Sequence, residues 1–480
     1  MFFDNDDVTE INENIKNNAP MDIDTIVNLE IGEHVNSLEY KKIIKSEQYY
    51  KNNTDINING RMVLGENGIE RAENVADNRL CHDYFSLIVD QKIQYLLSKE
   101  WTVESDDDNI LEQLNKIFNQ DFKNKFQRVA KDAVVKYYGW LFVYPQGNDL
   151  KFQRLEAKNV IPFWSDIDKT ELNAVIYFYS KVEYEGTQKK EKRYAQYWDN
   201  TGVIFYEAND SARYERTNKS GMVSFEGKPY NWEKIPFIPI KYNDEDIFLL
   251  DKIKSLIDDY DRQTSRNSNG LEDDLNKTLV VKNYDGTNAG QLRRDVKTHK
   301  IIKVSDDGGV DVLDLTVDVD NSNSHLDRLK KDIFMFGRAV DITSEFGANA
   351  SAEARQYLYA SLDMDCNTLE RNCKNALHSL LWFISKYYNM GDIQDTVDFV
   401  FNRDVITNEA SAIDMCVKSQ GVQGLSTRTI LSNHPFVKNV DDELNTWKQE
   451  QKENAQMQDD LYDNPSFGNN DDNSNGGIDE

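Results

Sequence analysis

The sequence predicts an α+β chain in which long helices are segregated from a β-rich middle. Three observations carry this expectation. Residues 140–243 are a series of short apolar runs separated by turn chemistry. Residues 244–276 contain no Pro and one Gly and keep a helical period. That stretch and a second helical one, 325–340, enclose a small strand-rich tip.

In chain order, the run NRLCHDYFSLIVDQKIQYLLSKE, 78–100, places Tyr84, Leu87, Ile88, Ile93 and Leu96 at helical intervals. A second helix is expected from Leu111 to Tyr138, with Phe122, Phe126, Val129, Ala133 and Val134 inside and Gly139 as its stop. GWLFVYPQGNDLKFQRL gives two strands about a polar turn, and AVIYFYS continues the sheet. KRYAQYW–DNTG–VIFYE forms a hairpin around Asp199 to Gly202. Two prolines confine 232–242 to an edge or an extended connector. The helix expected over 244–276 is apolar on one face in its first half and polar nearly all round in its second, which calls for solvent or for packing against copies of itself through polar contacts. Residues 277–319 read as a compact β insertion, followed by a helix from His325 to Val340. Another runs from Ala352 to Tyr388, then a strand over 396–403 and a helical end.

With 480 residues, 39% of them hydrophobic, the chain can build a real core. Its formal charge of −28 has the wrong sign for gripping nucleic-acid phosphates. Residues 1–15 carry five acids and no base, and 457–480 carry seven acids and no base, so both ends are expected to be solvated tails. The acidic start lacks a signal peptide's basic region, and no apolar run approaches 18 residues. Four cysteines without a CxxC pair fit buried core thiols, and no cofactor is expected.

DITSEFGANASAEARQ, from Asp341, sets a small-residue tip between two helices: a phosphate cradle, a hinge or a projecting loop. A cradle needs a Lys and a hydroxyl in GxxxxGK[ST], which is absent. The acidic runs 104–108, 244–246 and 258–259 offer an alternative class, a metal-dependent nucleic-acid-processing enzyme, although solvated charged faces explain them.

Four stretches in order carry a resemblance: 78–105, 235–286, HLDRLKKDIFMFGRAVDITSEFGANASAEARQYLYASLDMDCNTLE, and NEASAIDMCVKSQG. Through them the chain resembles the portal proteins of tailed bacteriophages, the long-tailed Bacillus-phage type in particular. It departs from that pattern at Ser351-Ala352-Glu353-Ala354, where relatives tend to have Ser-Gly-hydrophobic-Ala. The resemblance implies a portal fold: an N-terminal arm, partly disordered (1–59), an α/β wing (60–243 with 352–403), stem helices (244–276 and 320–341), a β-containing clip (277–319), a tunnel loop (342–351), a helical crown (404–458) and an acidic disordered tail (459–480).

By the same resemblance the chain is no enzyme but a virion protein, assembled in the host bacterial cytoplasm. It forms a homo-oligomeric ring of twelve at one capsid vertex, passing double-stranded DNA without sequence preference during packaging and ejection. Its other partners are a terminase ATPase, a head–tail adaptor, and the major capsid and scaffolding proteins, with no membrane. Thr343, Ser344, Glu345, Gly347, Asn349 and Ser351 become tunnel-loop residues, and Lys282, Arg293, Arg294, Lys297 and Lys300 docking residues of the clip. A helical wheel puts Leu326, Leu329, Ile333, Phe336 and Val340 on one face, with Lys331 and Arg338 opposite. Those two cations either face the channel as basic rings or pair with acids of neighbouring subunits.

Overall fold

The computed structural model describes residues 22–58, 62–65, 68–71, 76–186, 188–221, 223–225, 228–230, 232–273, 277–282, 307–314, 319–341, 343, 352–403, 413, 416–420, 426–432, 434, 436–437, 440 and 443–452. It is a mixed helix-and-sheet chain in two units. One comprises Met1–Asn349 with Gln356–Asp404, the other Ala350–Arg355 with Val405–Glu480.

Where an arm is expected, two capped helices stand. Asp22 accepts from the Asp24 amide and opens α1 (Ile23–Asn36); Ser37 accepts from the Tyr40 amide at 3.0 Å and opens α2 (Leu38–Tyr50). Val27 and Ile31 of α1 are buried on a β-sheet, so residues 23–50 belong to the packed body. After the turn α3 (Asp55–Ile58) and the hairpin β1 (Met62–Gly65) and β2 (Gly68–Arg71) come α4 (Tyr84–Leu97) and β3 (Thr102–Ser105).

The single helix expected over 111–138 is two, α5 (Asp108–Ile117) and α6 (Gln120–Lys136). Asn119 caps the second, accepting from the Phe122 amide at 3.1 Å. The apolar stripe does not register the break, because Phe118, Phe122 and Phe126 all surround the buried Trp101 ring.

A three-stranded antiparallel sheet follows, ordered β13 (Phe237–Lys241), β4 (Tyr138–Gln146), β5 (Asp149–Leu155). Pro239 lies opposite Trp140 on the edge strand, where a missing N–H costs no ladder bond. A five-stranded antiparallel sheet is ordered β10 (Tyr214–Gly221), β9 (Gly202–Ala208), β8 (Gln188–Asp199), β7 (Leu172–Glu185), β6 (Val160–Trp164). The β8–β9 turn is the expected one, with Asp199 accepting from the Thr201 and Gly202 amides. A short hairpin, β11 (Val223–Phe225) with β12 (Lys228–Tyr230), precedes β13.

Helix α7 (Leu249–Asp273) starts later than Asp244 because the Asn243 side chain ties off a loop to Ile247 and Asp246 is left-handed at φ 55°. A two-stranded hairpin follows, β14 (Lys277–Lys282) with β15 (Gly309–Asp314). Helix α8 (Val319–Phe336) begins before His325 and stops before Val340. Its end is a Schellman motif: the Ala339 amide bonds the Phe334 carbonyl at 2.9 Å, the Arg338 amide bonds Met335, and Arg338 takes φ 50°. Helix α9 (Ala352–Tyr388) has the expected bounds, and β16 (Val397–Val400) pairs with β3. In the second unit, α10 (Thr427–Ser432) lies in the expected helical end, and the buried Cys416 thiol bonds the Ile430 carbonyl at 3.7 Å.

Candidate functional site

The long helix α7 changes character midway. Its first half buries Leu249, Leu250, Ile253 and Ile257 in the main core with Leu369, Leu377 and Leu381 of α9. Its second half, which the sequence leaves polar all round, carries a buried polar stripe of Asp261, Ser265 and Asn269, four residues apart. These side chains hold an extended segment of the same chain by its backbone. The amides of Asn78, Leu80 and His82, which point one way along an extended strand, donate to Asn269 (2.6 Å), Ser265 (2.9 Å) and Asp261 (3.0 Å). Thr54 and the His82 ring bind Asp261 as well, at 2.6 and 2.8 Å. Burial pushes the Asp261 carboxyl above its ordinary range, against those hydrogen bonds.

Helix α8 returns alongside α7. Ser322 accepts from Asn267 at 2.8 Å and the His325 ring meets Asp259 at 3.0 Å, while Leu329, Ile333 and Phe334 turn inward. The chain leaving α8 is gripped by its backbone. Gln91 of α4 bonds both the amide and the carbonyl of Val340, at 2.8 and 3.0 Å, as a neighbouring strand would. Lys92, fully buried, donates to the Arg338 carbonyl at 3.0 Å and to Asp365 of α9 at 2.8 Å. Tyr242 and the Arg338 guanidinium also donate to Asp365. Burial raises the Asp365 carboxyl, and the Lys92 ammonium with these donors more than offsets it, leaving Asp365 below its usual range. Just beyond, Asp341 accepts from the Thr343 amide at 2.9 Å, and Lys330 reaches back to Asp341 and Thr343 at 3.1 and 2.5 Å. The contacts of Gln91 and Lys330, one of the two Lys92 bonds and the Arg338–Asp365 pair all involve residues 338–343, which lead out of α8.

Among the sequence-predicted site residues, Thr343 lies in this buckle, whereas Ser344, Glu345, Gly347, Asn349 and Ser351 lie outside the described residues. Lys331 is exposed on α8. Arg338 does not share its face, because the helix ends at Phe336 and Arg338 pairs with Asp365. Of the expected apolar face, Leu329, Ile333 and Val340 are buried within the subunit, while Phe336 is 49% exposed. Lys282 pairs with Asp311 across the β14–β15 hairpin at 2.8 Å, while Arg293, Arg294, Lys297 and Lys300 fall outside the described residues.

The acidic runs are ion-paired where they are closest to chemistry. Asp244 meets Arg371, Asp246 meets Lys169, Asp258 meets Lys254, and Asp259 meets Arg262. Among the described residues no three His, Cys, Asp or Glu side chains are grouped to hold a metal ion, and no described helix is long and apolar enough to cross a membrane.

Sequence reasoning missed the polar stripe of α7 and the Gln91–Lys92 grip. The stripe had a signal, three short acceptors at intervals of four; the grip had none, since its targets are backbone groups.

The described residues thus combine a pair of long helices, joined in sequence through a β-hairpin, with a helix-and-sheet body. The family model for phage portal proteins, SPP1 Gp6-like, matches residues 30–457. The chain is 30% identical over 437 residues to a portal protein of Bacillus phage SPP1, spanning 88% of this chain and 86% of that one. It is 24% identical over 442 residues to a portal protein of Clostridium phage phiCD119, spanning 88% and 96% respectively. The chain belongs to the SPP1 Gp6-like family of phage portal proteins, components of the phage capsid.

Proposed function

We propose that the chain forms a twelve-membered ring at one capsid vertex, through which double-stranded DNA passes during packaging and ejection. The single observation that carries this reading is the α7–α8 pair with the β14–β15 hairpin at its tip, as a stem bearing a clip. In this reading residues 60–243 and 352–403 form the wing, 404–458 the crown and 342–351 a tunnel loop facing the channel. The clip, 277–319, has seven bases and seven acids within a chain of −28, and it docks the terminase ATPase and the head–tail adaptor. The ring meets the major capsid and scaffolding proteins on its outside and assembles in the host cytoplasm.

Charge supports the channel role. A mostly acidic wall cannot hold phosphates, and affinity for DNA falls steeply with each cation removed. Lys331, exposed on α8, is the stem cation that this reading turns toward the passing backbone. Thr343 and the small residues after it would give a tip that contacts DNA without gripping it.

Light scattering on the purified protein, followed by electron microscopy, tests the ring. A pierced particle many times the 55.7 kDa subunit is expected, and a monomer at all concentrations would refute it. Lys331→Ala should alter the rate or the length of DNA packaged; unchanged packaging removes Lys331 from the channel.

A further inference from the structure

The β7–β8 pair outgrows its sheet. Strand β6 covers β7 only from Leu172 to Tyr177, and β9 covers β8 only from Tyr194 to Asp199. The two strands continue together from Ser180↔Arg193 to Glu185↔Gln188, a two-stranded ribbon about 20 Å long at 3.3 Å per residue. Such a ribbon has little stability of its own.

Its two faces differ. Residues on one face alternate as Lys181 and Glu183 opposite Lys192 and Lys190, and these charges satisfy one another. Glu183 pairs with Lys181 and Lys192 and accepts from Tyr194, and Lys192 also reaches Glu207. The other face continues the stripe that α1 covers within the sheet. Ala174, Ile176, Ala195 and Tyr197 are buried beneath α1, with Phe178 partly covered against the His34 ring. Beyond Phe178 the same face runs on as Val182 and Tyr184, 44% and 75% exposed, opposite Glu191 and Lys189, with Arg193 behind. An apolar stripe covered for half its length and open for the rest is half an interface.

Charge says what covers it. Residues 180–193 hold five bases and three acids, within a chain of net charge −28. A basic, aromatic-bearing ribbon on a strongly acidic protein is complementary to the surface of another copy of that protein. We infer that the β7–β8 ribbon is a docking arm that lays its Val182–Tyr184 face, flanked by Lys189 and Arg193, on the acidic surface of the neighbouring subunit. This inference rests on the ring reading above and specifies one of its contacts.

The test compares full-length wild type with two variants, Val182→Ser/Tyr184→Ser and Lys189→Glu/Arg193→Glu, by light scattering over a dilution series at two salt concentrations. Both should raise the subunit concentration at half-dissociation ten-fold or more with an unchanged far-ultraviolet spectrum, and raised salt should abolish most of the difference for the charge variant. If the serine variant fails to fold, the charge variant carries the test alone, since its side chains are exposed. A wild type that is monomeric throughout overturns the ring reading and the inference with it. Wild-type rings with equally stable variant rings overturn the inference alone. Variant rings that are intact but fail to enter procapsids also overturn it, assigning the arm to the capsid shell.

Discussion

Replacing Lys92 with Met keeps the length and most of the volume of a fully buried side chain and removes its charge. Two acceptors lose their donor. Asp365 loses a bond of 2.8 Å and keeps Tyr242 and a longer contact to Arg338 at 3.2 Å. The Arg338 carbonyl loses a bond of 3.0 Å. Breaking one side of a buried ion pair costs about 3–5 kcal/mol. The remaining donors on Asp365 place the charge term near the low end, about 3 kcal/mol, and the orphaned carbonyl adds about 1 kcal/mol. Chemical denaturation followed by Trp fluorescence reads the total. The companion variant Asp365→Leu should cost a similar amount, because it strands Lys92. The double variant should then be less destabilised than the sum of the singles by about 2 kcal/mol or more, since neither charge is left alone. A Lys92→Met protein within about 1 kcal/mol of wild type, or strictly additive singles, would refute the account of this cluster as a paired, buried joint.

The same carboxyl sets a pH dependence. Its folded value lies below the ordinary 3.8, so its contribution is present above that value and lost as pH falls through the lower folded one. The stability gap between wild type and Asp365→Asn should therefore be widest near neutrality and close in acid. In the polar stripe of α7, Ser265→Ala and Asn269→Ala should each cost about 1–2 kcal/mol and accelerate hydrogen exchange at the Leu80 and Asn78 amides respectively, by NMR or mass spectrometry. Gly139→Ala should fail to fold or lose several degrees of melting temperature, because a methyl there would lie 2.0 Å from the Val129 carbonyl oxygen. Gly337→Ala, whose methyl would lie 2.7 Å from the Ile333 carbonyl oxygen and 2.8 Å from Ile88, should cost about 1–3 kcal/mol or more by denaturant melting, since the Ile88 side chain can give way but the backbone oxygen cannot.

How much of this was legible depends on what holds each part. Helix α9 has the expected bounds because a long amphipathic period and clear stops mark it. The β8–β9 turn is legible because Asp199 and Gly202 carry its chemistry locally, and the β13 edge because prolines forbid an interior place. The α5–α6 break was hidden, since an apolar stripe that serves one core continues across it and only the cap at Asn119 interrupts the helix. The end of α8 was hidden for the opposite reason. Arg338 occupies the left-handed position usually given to Gly, so a wheel drawn through Val340 gave Arg338 a helical face where the helix has already ended. The arm over 1–59 came from the resemblance alone, and periodicity did not mark α1, whose buried face consists of few residues.

The two features that escaped the sequence act in the same way, and this bears on how far the helix pair can shift. The α7 stripe and the α4 grip both bind backbone groups of extended segments, so they fix where the chain runs without demanding particular side chains in it. A periodic apolar face tolerates small axial slips, because each methyl finds another contact. A ladder of three amides on acceptors four residues apart does not, and neither does a carboxylate shared by Lys92, Tyr242 and Arg338. A slip of one residue would leave buried donors and a buried charge unpaired at once, at about 1–3 kcal/mol for each neutral group and more for the charge. The pair should therefore hold its position or shift in one discrete step, rather than yield gradually. Such all-or-none behaviour is what a subunit needs if contact at the residues after Thr343 is to be felt in the body of the protein.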